Sequence, residues 1–145
     1  MKQVSKAIGR KRMLKMADFL DKLPSEKFDF TIAYGKETPS LIKGCGSAGC
    51  IIGWTPRVFP RLVKYNPIAT WQLHRVDPYF KIGDESKLSY REVGEAVFGL
   101  SADHAFNLFT PGTQCYFYLK NLDHDATPKQ AAKLLRSYVK KYMSE

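Results

Sequence analysis

The sequence predicts a mainly α-helical fold, a single compact helical domain over residues 1–145 with an irregular, aromatic-rich middle segment. The length of 145 residues suits one hydrophobic core. Apolar residues make up 44% of the chain and aromatic residues 13%, a composition typical of a folded globule rather than a disordered chain. Apolar side chains recur at helical spacing behind several capping residues, which favours helices over strands.

The first helix is predicted from an apolar stripe with i, i+3, i+4, i+7 spacing. The stripe consists of Met13, Met16, Ala17, Leu20 and Leu23. A proline at position 24 ends the helix, because proline cannot continue the hydrogen-bond ladder. Residues 25–28 are expected to add one further turn. Residues 1–12 form either a basic N-terminal arm or an extension of this helix.

Three later helices are predicted from their N-caps. Ser89 and Thr127 each open a capping box, and Ser101 caps a shorter helix between them. Residues 61–82 show no clean period over more than a turn or two, so we expect them to be irregular. The apolar run 116–119 is compatible with a helix or a strand, since periodicity alone does not distinguish the two in so short a segment.

The most informative stretch is CGSAGCIIGWTPRVFP at residues 45–60. Its small residues would leave one side of a short helix nearly bare, so that another backbone could approach closely. Ser47 is a suitable N-cap for that helix, and Thr55, followed by proline, reads as the N-cap of a second one. We therefore expect two short helices with a corner between them, and packing contacts at Gly49 and Gly53.

The cysteines of this stretch do not complete a metal site. Cys45 and Cys50 resemble half of a zinc site, and Cys115 with His104 or His124 is the nearest completion, without the usual second pair at comparable spacing. We predict that Cys50 is a buried apolar residue and that the protein holds no metal and no cofactor. An odd number of cysteines without a recognisable secretion signal fits free thiols in a reducing compartment and a cytoplasmic location.

The same stretch resembles the CGT-x-x-C-x-x-G core of a family of small proteins from tailed phages, prophages and bacteria. Two further segments are similar to that family: RMLKMADFLDKLPSEKFDF at 12–30 and the FGLS…LFTP box at 98–111. The closing TPKQAA helix at 127–132 also corresponds, so the similarity runs from about residue 12 to the end. Ser47 stands where the family usually has threonine, and the basic N-terminal arm is extra. The resemblance implies a phage or prophage context and a shared helical fold, and it implies no activity.

The net charge of +9 is concentrated at the two ends of the chain. Residues 1–15 contain six basic residues and no acidic one, and residues 128–145 contain five basic residues and one acidic one. Four cations of the last helix recur at i, i+4, i+7, i+11 and form one basic ridge. If the two ends meet in space, they would create a local positive field that attracts an anion. The candidate binding residues are Arg10, Lys11, Arg12, Lys129, Lys133, Arg136 and Lys140.

Catalytic signals are weak by comparison. The chain contains no GxSxG, P-loop, HExxH or GxGxxG pattern. Asp103 directly precedes His104 and could orient its imidazole, but such pairs are also common at helix ends. An enzyme would have to use a histidine or cysteine in a pocket near residues 45–54 or 104–124.

The sequence therefore predicts a non-enzymatic, phage-type accessory binding protein with an anionic partner. That partner would be a nucleic acid, a nucleotide signal or an acidic host protein, and counter-defence is one role that suits such a protein. Two alternatives stay open: a small hydrolase or nucleotide-processing enzyme, and a structural or assembly protein that uses the apolar runs 58–65 and 116–119 as a subunit contact. No apolar run is long enough to span a membrane, so no membrane partner is expected, and the oligomeric state is undetermined.

Overall fold

A computed structural model describes residues 4–28, 51–65, 80–110, 112–123 and 125–143. Several sequence-based expectations fall on residues outside these ranges. They concern Cys45, Ser47, Gly49, Cys50 and His124.

The described residues form a mainly α-helical domain with one small sheet, as the sequence predicts. The five α-helices are α1 (Lys6–Asp21), α2 (Thr55–Val58), α3 (Tyr90–Phe98), α4 (Ala102–Phe109) and α5 (Pro128–Tyr138). A π-helical turn, Val139–Met143, continues α5. Single 3₁₀ turns lie at Ser25–Lys27, Ile52–Trp54 and Gln114–Phe117. The strands are β1 (Lys64–Tyr65), β2 (Phe80–Ile82) and β3 (Glu85–Leu88).

Helix α1 packs along α5 and supplies the centre of the core. The predicted stripe is confirmed, since Met13, Met16, Ala17 and Leu20 are fully buried. The helix starts at Lys6, where the Ser5 side chain accepts a hydrogen bond from the backbone N–H of Ile8. Residues 6–12 are therefore a helical extension and not a separate arm.

The three predicted N-caps are also confirmed. Ser89 and Thr127 each form a complete capping box, and the Ser101 hydroxyl accepts from the backbone N–H of His104. Gly99 ends α3 in the left-handed conformation, with a φ of 70°. These caps satisfy backbone groups that the first and last turns of a helix leave without partners.

The small sheet was not expected from the sequence. Strands β1, β2 and β3 are antiparallel in that order, and β2 and β3 form a hairpin. Gly83 and Asp84 make its two-residue turn, in which Gly83 has a φ of 58° that glycine adopts at low cost. Residues 64–65 and 80–82 lie in the segment that we expected to be irregular, so that expectation was wrong for these positions. The overlooked signal is the Gly-Asp pair between two short β-compatible runs.

The expectation that Thr55 caps a second helix was wrong as well. The backbone of Ile51, Trp54 and Thr55 stays in the right-handed helical region, so the 3₁₀ turn runs directly into α2 without a corner. The buried Thr55 hydroxyl donates to the Ile52 carbonyl oxygen at 2.7 Å instead of capping a helix. Packing contacts were predicted at Gly49 and Gly53. Of these two glycines, the structure describes Gly53, and it is buried.

Candidate anion-binding surfaces

The three consecutive cations of the N-terminal segment do not share one surface. Arg10, Lys11 and Arg12 lie on α1, where successive side chains point about 100° apart. Lys11 is exposed, whereas Arg10 and Arg12 are half-buried on different sides of the helix. The Arg12 guanidinium donates from Nη1 to the Val97 carbonyl oxygen of α3 at 2.9 Å. The sequence-based assumption that these three residues act together is therefore not supported by the helix geometry.

The basic ridge of α5 faces carboxylates of α1. Arg136 Nη2 contacts Asp18 Oδ1 at 2.8 Å and Asp21 Oδ2 at 2.6 Å. The hydrogen bond from Arg136 lowers the pKa of Asp21, and Lys129 adds a smaller favourable charge interaction to the same carboxylate. The same contacts raise the pKa of Arg136 above its ordinary value. The charge of Arg136 is thus largely compensated within the protein.

The structure nevertheless brings the two basic ends of the chain together. Helix α5 runs antiparallel to α1: Arg136 lies beside Asp18 and Asp21, and Met143 lies beside Gly9. Arg10 stands 11 residues before Asp21, hence on the same side of α1 but at the opposite end. Lys129, Lys133 and Lys140 are exposed along α5 and its π-helical turn. The two basic ends therefore lie side by side, but Arg12 faces another side of α1 and the charge of Arg136 is compensated by carboxylates.

A second basic surface, which the sequence did not reveal, lies on the other side of α1. A cavity of about 360 Å³ between α1 and the segment after α2 is lined by Arg12, Lys15, Val58, Phe59, Pro60, Arg61 and Leu62. None of these described lining residues is acidic. We call this feature the cationic cleft. Three cations around one cavity concentrate positive potential, because the surrounding protein screens their field less than bulk water does.

Two of the three cations in the cleft are held in place. Arg12 is oriented by its hydrogen bond to Val97. The Lys15 ammonium lies over the Phe59 ring, 5.6 Å from its centroid, in a cation–π contact. The Phe59 ring itself packs edge-on against the buried Phe98 ring, with centroids 6.1 Å apart. The cleft therefore has an ordered wall, which reduces the conformational entropy lost when a ligand binds.

Of the histidines considered for catalysis, His104 lies within the residues that the structure describes. Its Nδ1 is hydrogen-bonded to the Tyr138 hydroxyl at 2.6 Å. The imidazole is therefore oriented by Tyr138, and not by Asp103 as the sequence suggested. The imidazole also makes edge-to-face contacts with the rings of Tyr116, Phe117 and Tyr142, among others. Burial, and to a lesser extent the neighbouring Tyr142, raises the pKa of Tyr138, which keeps the phenol protonated.

Gln114 is a buried structural residue that no sequence pattern indicates. It is fully buried, and its side-chain amide donates to the carbonyl oxygens of Asn107, Leu108 and Thr110 at the end of α4. Its Oε1 accepts from the backbone N–H of Leu122. A buried amide surrounded by backbone partners leaves no periodic signal in a sequence, so only the fold identifies it.

The ambiguous run 116–119 begins within a 3₁₀ turn. Phe117 is fully buried, while Tyr118 is 88% exposed and has a φ of 58°, unusual for a residue other than glycine. The Lys141 ammonium lies 4.7 Å from the Tyr118 ring centroid and donates to the Phe117 carbonyl oxygen. Cys115 is an exposed free thiol in the same turn. This is one of the two apolar runs that the assembly alternative would use.

Neither a metal cluster nor a membrane span is found in the part of the chain that the structure describes. No group of three or more histidine, cysteine, aspartate or glutamate side chains is arranged there to hold a metal ion. No helix in the same ranges combines the length and hydrophobicity needed to cross a bilayer. The chain matches no protein-family model, no curated protein sequence and no solved structure.

Proposed function

We propose that this protein is a non-enzymatic binding protein that engages an anionic partner, in the first place a nucleic acid, through the cationic cleft. The observation that carries the proposal is the convergence of Arg12, Lys15 and Arg61 on one cavity without an acidic residue among its described lining residues. Like charges that line one cavity repel one another, so a bound phosphate would relieve that repulsion. Arginine and lysine are also the side chains that most often contact nucleic-acid phosphates.

The exposed cations of the α5 ridge would extend this contact to a longer polyanion. In the ridge, Lys129 and Lys133 are exposed on α5. Lys11, which is exposed on α1, would add a further cation. Arg136 is the weakest candidate of the ridge, because a ligand phosphate would have to replace two carboxylates that already hold its guanidinium. We therefore assign the main contact to the cleft and a secondary, electrostatic one to the ridge.

The biological role that we propose follows from the sequence resemblance. In a phage or prophage context, a small basic binding protein in the host cytoplasm suits counter-defence, either by blocking a nucleic-acid-handling machine or by sequestering a nucleotide signal. An acidic host protein is the other anionic partner of this class. An acidic protein and a nucleic acid would both be attracted by the same positive field. The two kinds of partner differ in how their affinity depends on salt concentration.

The test is a titration of labelled duplex DNA, single-stranded DNA and RNA with the protein at several salt concentrations. For duplex DNA, each phosphate contact contributes about 0.9 to the slope of log affinity against log salt. The double variant Lys15→Gln and Arg61→Gln should reduce the slope by roughly 1.8 if both residues contact phosphates. Arg12 is kept, because its hydrogen bond to Val97 also supports the fold.

Two matched double variants make this result specific. Lys87→Gln with Lys120→Gln removes the same charge from exposed positions outside the cleft and should leave the slope nearly unchanged. Lys129→Gln with Lys133→Gln measures the contribution of the ridge. Equal effects of all three pairs would show a general charge effect and contradict a specific cleft. Binding weaker than about 100 μM near physiological salt, where even non-specific binders usually register, would reject nucleic acid in favour of an acidic protein or small ligand.

A further inference from the structure

A second cavity lies near the N-terminal end of α1, beside the oriented histidine. It has a volume of about 350 Å³. Its lining residues are Val4, Lys6, Gly99, Leu100, Ser101, His104, Tyr138, Tyr142 and Met143. We call it the His104 cavity. It shares no lining residue with the cationic cleft, so variants can test the two sites separately.

One wall of the His104 cavity is aromatic and preorganised. Tyr138 is buried and hydrogen-bonded to His104 Nδ1, which fixes the plane of the imidazole. The Tyr142 ring lies 4.9 Å from the imidazole centroid and 5.0 Å from the Tyr138 centroid. Three rings fixed against one another offer a planar ligand stacking or edge contacts at little cost in side-chain entropy. Since Nδ1 is engaged by Tyr138, Nε2 is the imidazole nitrogen that would serve a ligand.

The remaining lining residues supply charge and a polar group. Among the described lining residues, Lys6 is the one lysine or arginine, none is acidic, and Ser101 adds a hydroxyl group. Val4, Leu100 and Met143 add apolar surface to the lining. Ligand sites in proteins combine this kind of mainly apolar lining with a few converging polar groups, and they usually occupy roughly 300–1,000 Å³. The volume of the His104 cavity falls at the lower end of that range and suits one small molecule.

We propose that the His104 cavity binds a small planar anion of mononucleotide type, with the ring system against His104 and Tyr142 and the phosphate paired with Lys6. The aromatic wall recognises the planar part and the ammonium group recognises the anionic part, so neither part alone should bind as well as the whole. This ligand class differs from the polyanion assigned to the cationic cleft, because the His104 cavity contains one lysine and no arginine among its described lining residues.

The probes are adenosine monophosphate, adenosine and inorganic phosphate, each titrated into the full-length protein. Proton NMR of the imidazole C–H groups reports binding, and the His104→Gln variant assigns the His104 resonances among the three histidines of the chain. We expect adenosine monophosphate to shift the His104 resonances saturably and to bind more tightly than adenosine or phosphate. Lys6→Gln should raise its dissociation constant about tenfold, as expected for the loss of one charge-assisted contact.

Three further variants keep the experiment decisive. Lys11→Gln removes one exposed cation from the same helix and should leave the dissociation constant unchanged. Tyr142→Phe should retain binding, since the ring is kept, whereas Tyr142→Ala should weaken both adenosine monophosphate and adenosine. The Lys15→Gln and Arg61→Gln pair should not alter binding at His104, which separates this proposal from the one for the cationic cleft.

Several results would overturn the proposal. The cavity would not be a ligand site if none of the three probes shifted the His104 resonances at millimolar concentration. Phosphate binding as tightly as adenosine monophosphate would refute recognition of the planar part, and adenosine binding equally tightly would refute the role of Lys6. Equal losses for Lys6→Gln and Lys11→Gln would show a general charge effect in place of a site.

Discussion

Replacing Gly9 by alanine should destabilise the protein, although alanine is the better helix former. Gly9 lies on α1 where that helix meets the end of α3, and an alanine Cβ would lie 2.1 Å from the Phe98 carbonyl oxygen and 2.9 Å from its carbonyl carbon. A carbon–oxygen contact normally needs roughly 3.3 Å, so α1 must retreat by about 1 Å. The obstacle is backbone, which has no rotamer by which to avoid the clash.

The retreat of α1 has a second cost at Arg12, one turn further along the helix. Its 2.9 Å hydrogen bond to the Val97 carbonyl oxygen would lengthen towards the limit of hydrogen bonding. Alanine gains about 1 kcal/mol of helix propensity, while overpacking costs roughly 1–3 kcal/mol and loss of a charged hydrogen bond about 1.5–3 kcal/mol. We expect a net loss of roughly 1.5–5 kcal/mol in the free energy of unfolding. For a domain of this size, that lowers the melting midpoint by about 5–15 °C.

The assay is thermal and denaturant unfolding followed by circular dichroism. Ala7→Gly is the matched control: it reverses the substitution at an exposed position in the first turn of the same helix and should cost at most about 1 kcal/mol from propensity alone. Both variants should therefore be less stable than the wild type, although they exchange the same two residues in opposite directions. A Gly9→Ala protein that melts higher than the wild type would refute the close approach of α1 to Phe98.

Two further predictions concern pH and a buried amide. The Arg136 contact lowers the folded-state pKa of Asp21, so its stabilisation is present above the ordinary pKa of 3.8 and is lost as pH falls through the lower folded value. Arg136→Gln should thus lower the melting midpoint at neutral pH but not in strong acid, with Lys133→Gln as the control for lost charge; a pH-independent effect would contradict the pairing. Gln114→Leu should reduce the free energy of unfolding by roughly 1–3 kcal/mol, because it leaves buried carbonyl groups without their donor. Urea denaturation would measure this loss, and an unchanged midpoint would show that solvent replaces the amide.

The sequence was a good guide to the helices and a poor guide to the candidate sites. The caps at Ser89, Ser101 and Thr127 were predictable because a cap depends on residues within about four positions of it. The α1 stripe was predictable because burial on one face imposes a period on the sequence. The β2–β3 hairpin was missed, since its strands are only three and four residues long and show no clear alternation.

For the candidate sites, the sequence supplied the cations but not their neighbours. Arg10 and Arg12 are almost adjacent in the chain, yet helix geometry points them to different sides of α1. The cationic cleft joins Lys15 to Arg61 across a long stretch of sequence, and no periodic pattern links such positions. His104 was identified as a candidate, but its partner Tyr138 lies 34 residues away on another helix.

By itself the sequence determined the mainly helical class, the position of most helix ends and the concentration of positive charge at the two ends of the chain. These properties depend on local hydrogen bonding, on hydrophobic periodicity and on composition, all of which can be read along a chain. Only the tertiary structure decided which charges are available to a partner. Arg136 is compensated by carboxylates 115 and 118 residues away, whereas Arg12 and Lys15 share a cavity with a third cation. The physical reason is that the energy of a charge depends on its neighbours in space, and helix packing sets those neighbours.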